Sequence, residues 1–152
     1  MATRGFEFAY MLDGSHGTPV IRDFIMSTAA AHKVGDLLTI ETDGDLTQET
    51  GSVGEATAIC MEAATAAQIT AGTTKLKCAI LTRNQVWRCS MDASTSTAVQ
   101  GYTKTLDVAD TNTIDADDPD NGSMILLDKS LLDDDSYVLA YVVFADTTFG
   151  NT

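Results

Sequence analysis

The chain has 152 residues, 44 % of them apolar and 20 % charged, a balance that fits one globular domain with a packed core and argues against a disordered or fibrous chain. Its formal net charge of −13 is concentrated in residues 105–135, where ten Asp stand against Lys129 for a net of −9. Such a surface repels phosphate, and no run approaches the roughly 20 consecutive apolar residues of a membrane-spanning helix, so neither a nucleic-acid partner nor a membrane is expected.

Residues 1–18 differ in kind from the rest. The first 35 residues are neutral overall, with Arg4, Arg22 and Lys33 against Glu7, Asp13 and Asp23. The opening MATRGFEFAYMLDG lacks a basic start, an apolar core and a cleavage site, so synthesis and folding in a cytoplasm are the expectation. Alternation of Phe6, Phe8 and Tyr10 puts all three on one face of an extended strand, with Met11 next to them. Two readings follow. The segment is an edge strand of its own domain, or it is an arm whose Phe6, Phe8, Tyr10 and Met11 dock on a neighbouring subunit or shell by adding a strand. His16 belongs to a turn, Gly14-Ser15-His16-Gly17, and cannot couple to Ser15, because adjacent side chains on an extended chain point apart.

Residues 19–152 are expected to form a single β-rich domain, a small β-barrel or β-sandwich of tulip or jelly-roll type. Val20–Thr28 is the first strand, with Pro19 suited to its start. His32 reads as a surface side chain. Asp36–Glu41 and Asp45–Gln48 flank Asp43-Gly44, which predicts a hairpin closed by a type I′ turn. Ala56–Met61 follows the Gly51 and Gly54 breaks as a strand. The Ala-rich stretch Gly54–Ile69 offers a helix as the alternative, but Thr57, Ile59 and Thr65 favour strand.

Lys75–Leu81 alternates, with Leu76, Cys78 and Ile80 on one face and Lys75 and Lys77 on the other. Thr82–Gln85 turns the chain into Val86–Met91. Ala93–Val99 offers a second short helix, on which no reading is built. Met124–Leu127 and Tyr137–Phe144 are the last strands. The final one is apolar on both faces, so it is either central or covered on its outer face by a partner. Cys60, Cys78 and Cys89 all fall in these strands, form no CxxC, and read as buried reduced thiols.

Motifs that carry chemistry are missing from the sequence: it has no nucleophile elbow, phosphate loop, dinucleotide fingerprint or HExxH. The expectation is a protein that is not an enzyme and uses no cofactor and no metal. IDADDPDNGSMILLD (114–128) comes nearest to a calcium loop, with Asp117 first, Asn121 fifth, Gly122 sixth and Asp128 twelfth. But Pro119 and Ile125 fill the third and ninth places, where oxygen ligands belong, and the flanks have no helical period. It therefore reads as an acidic turn with its carboxylates toward solvent and Met124–Leu127 turned inward. Weak calcium binding by Asp115, Asp117, Asp118 and Asp120 is the alternative.

The order of features resembles a known family. A neutral arm leads to a strand, then KVGDLLTIETDGDLTQ, an Ala-rich strand ending in MEAAT, KLKCAILTRNQVWRC, VQGYTKTLDV, an acidic turn and a closing YVLAYVVF. This is similar to the small capsid decoration (cement, or head-stabilisation) proteins of tailed bacteriophages. Lys33–Gln48 carries the resemblance best, and Gly101-Tyr102 entering Leu106-Asp107 is a second matching piece. The resemblance implies a viral structural protein on the exterior of the virion, assembled in the host cytoplasm, often as a trimer, that bridges major capsid proteins against internal pressure. It implies no catalytic residues. The competing reading is a β-sandwich module of a phage tail or fibre that recognises a host-surface ligand.

Overall fold

A computed structural model of the chain describes residues 5–49, 55–91, 105–106, 108–115, 124–129 and 139–149. The strands are β1 (Glu7–Met11), β2 (Ile21–Ile25), β3 (Leu37–Ile40), β4 (Leu46–Gln48), β5 (Ala58–Cys60), β6 (Lys75–Ile80), β7 (Gln85–Ser90), β8 (Thr105–Leu106), β9 (Val108–Asp110), β10 (Thr113–Ile114), β11 (Met124–Lys129) and β12 (Leu139–Phe144). A single 3-10 turn at Ala66–Gln68 is the only helical element among the described residues. The chain is all-β, as the sequence indicates. The candidate helix at Ala93–Val99, Tyr137–Val138 and most of the acidic turn (116–123) lie outside the described residues.

Two antiparallel sheets face each other. The first runs β1-β7-β12-β11-β8 and the second β2-β6-β5-β3-β4, with β9 and β10 paired beside them. Alternation decides which side chains meet between the sheets. Ala140, Val142 and Phe144 of β12 and Met124 and Leu126 of β11 meet Leu37, Ile59 and Ala79 of the second sheet in one core around Trp87. Trp87 is fully buried, and its indole N–H donates to Gln85 Oε1 at 3.1 Å, so its polar atom is satisfied without water.

The second sheet buries its other face too. Leu38, Leu46, Ala58, Cys60, Leu76 and Cys78 form a second core, covered by Met26 and by Ile69 from the 61–74 connection. The two ends of this sheet touch through one parallel bridge, Met26 to Leu46, where the Ser27 N–H donates to the Leu46 carbonyl at 2.8 Å. The sheet thus curls around a core of its own but stops short of a closed ladder. The result is a sandwich with one strongly curled layer. Double burial explains why β5 reads Ala-Ile-Cys, buried at every position, and why Ala79 faces the main core between Cys78 and half-buried Ile80.

Three local expectations are corrected. The β3–β4 hairpin does not use a type I′ turn. Gly44 has φ +91°, but no residue other than glycine has positive φ among the described residues, so Asp43 lacks the positive φ that a type I′ turn requires. The Gly44 N–H donates to Glu41 C=O at 3.0 Å and the Glu41 N–H to Asp45 C=O at 2.8 Å. That is the pattern of a type I turn followed by a left-handed glycine, one residue longer than expected. Among the described residues of the Gly54–Ile69 stretch, the strand covers only Ala58–Cys60, and the one helical turn is Ala66–Gln68. His32 is not a surface side chain. It is 2 % exposed, and its backbone makes a two-way bridge with Ala64.

Candidate docking surface

Residues 5–11 of the expected arm are built into the first sheet. β1 pairs antiparallel with β7 as the sheet's edge strand. The entry to β1 is held at Gly5 and Gly35, whose backbones touch: a Cβ on Gly35 would lie 2.9 Å from Gly5 Cα. Gly35 also has φ +99°, a conformation open to glycine at little cost. The Phe6 N–H donates to the Gly35 carbonyl at 2.9 Å, which delivers Phe6 into the main core, 2 % exposed and 5.6 Å from the Phe144 ring centre.

Phe6, Phe8 and Tyr10 do not share a face, contrary to the simple alternation. The β1–β7 register shifts between Phe8 and Tyr10, so Phe8 lies opposite Trp87 while Tyr10 lies opposite Val86. Cross-strand neighbours share a face, so the bulge sends Phe8 inward and Tyr10 outward. Phe8 packs edge-on against Trp87 at 5.6 Å. Tyr10 ends a row across the outer face of the sheet: Tyr10 opposite Val86, Val86 opposite Val143, and Val143 opposite Ile125. The neighbouring row is polar, with Glu7 paired to Arg88 at 3.0 Å and Tyr141 hydrogen-bonded to the same guanidinium.

Phe6 and Phe8 are therefore occupied within the chain. Met11 is half-buried, and its side chain lies against Gly17 of the following loop. Tyr10 stays open at 48 % exposure, and the structure adds three residues that alternation did not single out: Leu12 (48 %), Val20 (50 %) and Ile21 (43 %). The two segments that carry these four are tied to one crossover. The 81–84 connection carries the chain from β6 in the second sheet to β7 in the first, and Leu12 N–H donates to Asn84 C=O at 2.7 Å on its far side. On its near side Ile80 N–H donates to Val20 C=O at 2.9 Å. Asp13 pins the intervening loop by accepting from Ser15 N–H at 2.9 Å and Asn84 Nδ2 at 3.1 Å. These bonds, the Ser15 backbone N–H first, hold its carboxyl below the usual range.

The outcome is an apolar corner where both edge strands of the sandwich meet. Of the seven large apolar side chains that are exposed among the described residues, four lie on the segments tied to this crossover. The sequence signal is position: Leu12 and Val20 flank a Gly/Ser-rich connection just outside β1 and β2, and Ile21 opens β2 at the edge of its sheet.

A second feature is a polar cleft of about 620 Å³, lined by Lys33, Asp36, Gln48, Asp110 and Asn112 among others. Asp36, one of these lining residues, is 1 % exposed. Its Oδ2 accepts from Lys33 N–H and Gln48 Nε2, each at 2.9 Å, and its Oδ1 accepts from Asn112 Nδ2 at 3.3 Å. Amide donors thus balance the buried carboxylate, and it ties β3, β4 and the β9–β10 turn together. Among the described residues no cluster of three His, Cys, Asp or Glu side chains has metal-binding geometry. Of the Asp residues in the acidic turn, Asp115 is half-buried, while Asp117, Asp118 and Asp120 lie outside the described residues. Compared with known proteins, the chain matches no family model, no curated protein and no solved structure.

Proposed function

We propose that the protein is a structural component of a phage virion that binds the outside of the capsid and stabilises the shell by bridging major capsid proteins. The observation that carries this reading is the apolar corner. Tyr10, Leu12, Val20 and Ile21 stand exposed in a neutral segment of a chain whose net charge is −13. A chain with that charge stays dispersed through self-repulsion, and a low-charge apolar patch is where it associates with a partner without opposing that repulsion. β1 and β2 end their sheets, so each offers backbone groups to an added strand from a capsid subunit. The outer face of β12, with Leu139, Tyr141 and Val143 half-buried, supports self-association in the same assembly, with a trimer as the expected form.

Co-sedimentation with expanded capsids stripped of accessory proteins tests this reading. The wild-type chain pellets with the shells at saturable stoichiometry. A Tyr10→Ser, Leu12→Ser double variant loses at least about tenfold in affinity, since one large buried apolar side chain contributes roughly 1.5–3 kcal/mol. Both side chains are half exposed, so folding by circular dichroism is unchanged. Equal binding of variant and wild type removes the corner as the contact.

The polar cleft favours the second reading, a tail or fibre module for a host-surface ligand. Its amides, carboxylates and ammonium group suit a hydroxyl-rich ligand. Binding to host cells or glycans, together with failure to bind capsids, replaces the first reading with this one.

A further inference from the structure

Two of the three cysteines, Cys60 on β5 and Cys78 on β6, stand directly opposite each other in an unbroken antiparallel register. The backbone bonds define the kind of pair. Cys60 N–H donates to Asp36 C=O at 2.9 Å, and its carbonyl accepts from Gly35 N–H at 2.8 Å, so both groups point toward β3 and away from β6. The β5–β6 bond falls one residue on, from Met61 N–H to Lys77 C=O at 2.9 Å. Cys60 and Cys78 are therefore a non-hydrogen-bonded pair, the closer of the two antiparallel kinds, with Cα atoms about 4.5 Å apart in regular sheets. That spacing lies within the range a disulfide spans. Both thiols are fully buried in the second core, where each S–H donates to a backbone carbonyl, Cys60 to Glu62 at 3.1 Å and Cys78 to Leu76 at 3.5 Å.

We propose that Cys60 and Cys78 are a modification site: a buried cross-strand dithiol that a hydroperoxide converts into a disulfide within the folded chain. The inference does not rest on the capsid reading. Cys60 is the residue that reacts first. It sits at the end of β5, its Sγ donates to the Glu62 carbonyl at 3.1 Å, and its cover is the 61–63 turn, whose side chains are exposed. Hydrogen peroxide is little larger than water and passes where a glutathione-sized disulfide does not. The neighbouring Cys78 thiol holds the Cys60 thiol below its ordinary value, while the same proximity and burial push Cys78 up.

The Cys60 thiolate attacks one oxygen of the peroxide, the O–O bond breaks, and hydroxide leaves with the proton that Cys60 gave up, as water. Cys60 is now a sulfenic acid. Cys78 sulfur attacks Cys60 Sγ, the S–O bond breaks, and the departing hydroxide takes the Cys78 proton as a second water. Two thiols have lost two electrons and the peroxide has gained them. Cys89 cannot take part, because it is in the other sheet, in the main core, where burial raises its thiol.

The test treats the folded wild-type protein with hydrogen peroxide while circular dichroism is followed, then alkylates remaining thiols in denaturant and maps peptides without reduction. The expected product is a monomer lighter by two hydrogens, with Cys60 linked to Cys78 and Cys89 still alkylated. In Cys78→Ser, Cys60 accumulates as a dimedone-trapped sulfenic acid. In Cys60→Ser, Cys78 is oxidised no faster than Cys89. The proposal is overturned if Cys89 is consumed alongside the pair, if cross-links form between chains, or if the 60–78 link arises only after the folded signal is lost. Since the wild-type mapping decides the question, a variant that fails to fold does not rescue it.

Discussion

Asp36 and His32 sit four residues apart, both buried, and their situations are opposite. Asp36 has a donor for each carboxylate oxygen, so its charge is tolerated. Neither ring nitrogen of His32 has a hydrogen-bond partner among the described residues. Replacing Asp36 with Ala removes the acceptor of the Lys33 N–H and the Asn112 amide and leaves Gln48 Nε2 only Ala31 C=O, and unfolding in urea should show a loss of about 3 kcal/mol. A loss within the noise of a surface substitution contradicts the bridging role given to Asp36.

For His32, burial lowers the pKa from its ordinary 6.5, with the Asp36 charge opposing only in part. Folding therefore favours the neutral ring. Its contribution is complete above the unfolded value of 6.5 and is lost as pH falls from there through the folded value. Stability measured between about pH 7.5 and pH 5 should drop, and His32→Leu should flatten part of that drop. An identical slope in the variant excludes His32 as a source. The sequence concealed both residues, because neither a lone His after AAA nor an Asp after Gly reveals which backbone will cross over it.

At the scale of elements, strand existence was legible and strand chemistry was less so. Alternation in Lys75–Leu81 and the Asp43-Gly44 pair each mark a boundary that the structure respects within a few residues, while Gly51 and Gly54 lie outside the described residues. The turn type was misjudged because Asp-Gly suits two hairpin loops, and the length of the flanking pairing selects between them. The bulge at Ala9 was invisible as well: one extra residue in β1 reverses which face Tyr10 occupies, and no composition signal marks it. The double core of the second sheet was hinted at only by the unbroken apolar run in β5.

The contact of Gly5 with Gly35 makes a sharp prediction at this scale. Gly35→Ala adds a Cβ at 2.9 Å from Gly5 Cα in a backbone region closed to alanine. It should cost about 2–3 kcal/mol and loosen β1, seen as faster amide exchange at Phe6 and Phe8. Unchanged exchange there contradicts the view that this crossing anchors the strand.

For the whole molecule, the candidate surface was half legible. Phe6, Phe8, Tyr10 and Met11 form one segment in sequence, but the fold spends Phe6 and Phe8 on its own core and leaves Tyr10 to join Leu12, Val20 and Ile21. That union depends on the 81–84 crossover, a long-range fact that local pattern cannot supply. It also changes how the surface is probed. Deleting residues 1–12 removes β1 and the Phe6 plug from the core, so lost binding in that variant reports unfolding. Point substitutions at exposed side chains report contact.

The proposed role is tested most directly by cryo-electron microscopy of expanded capsids mixed with the purified chain. The account predicts added density on the outer surface, with the corner of Tyr10, Leu12, Val20 and Ile21 against the major capsid protein and the acidic 105–135 segment toward solvent. Shells without added density, or density with that corner turned away from the shell, would contradict it.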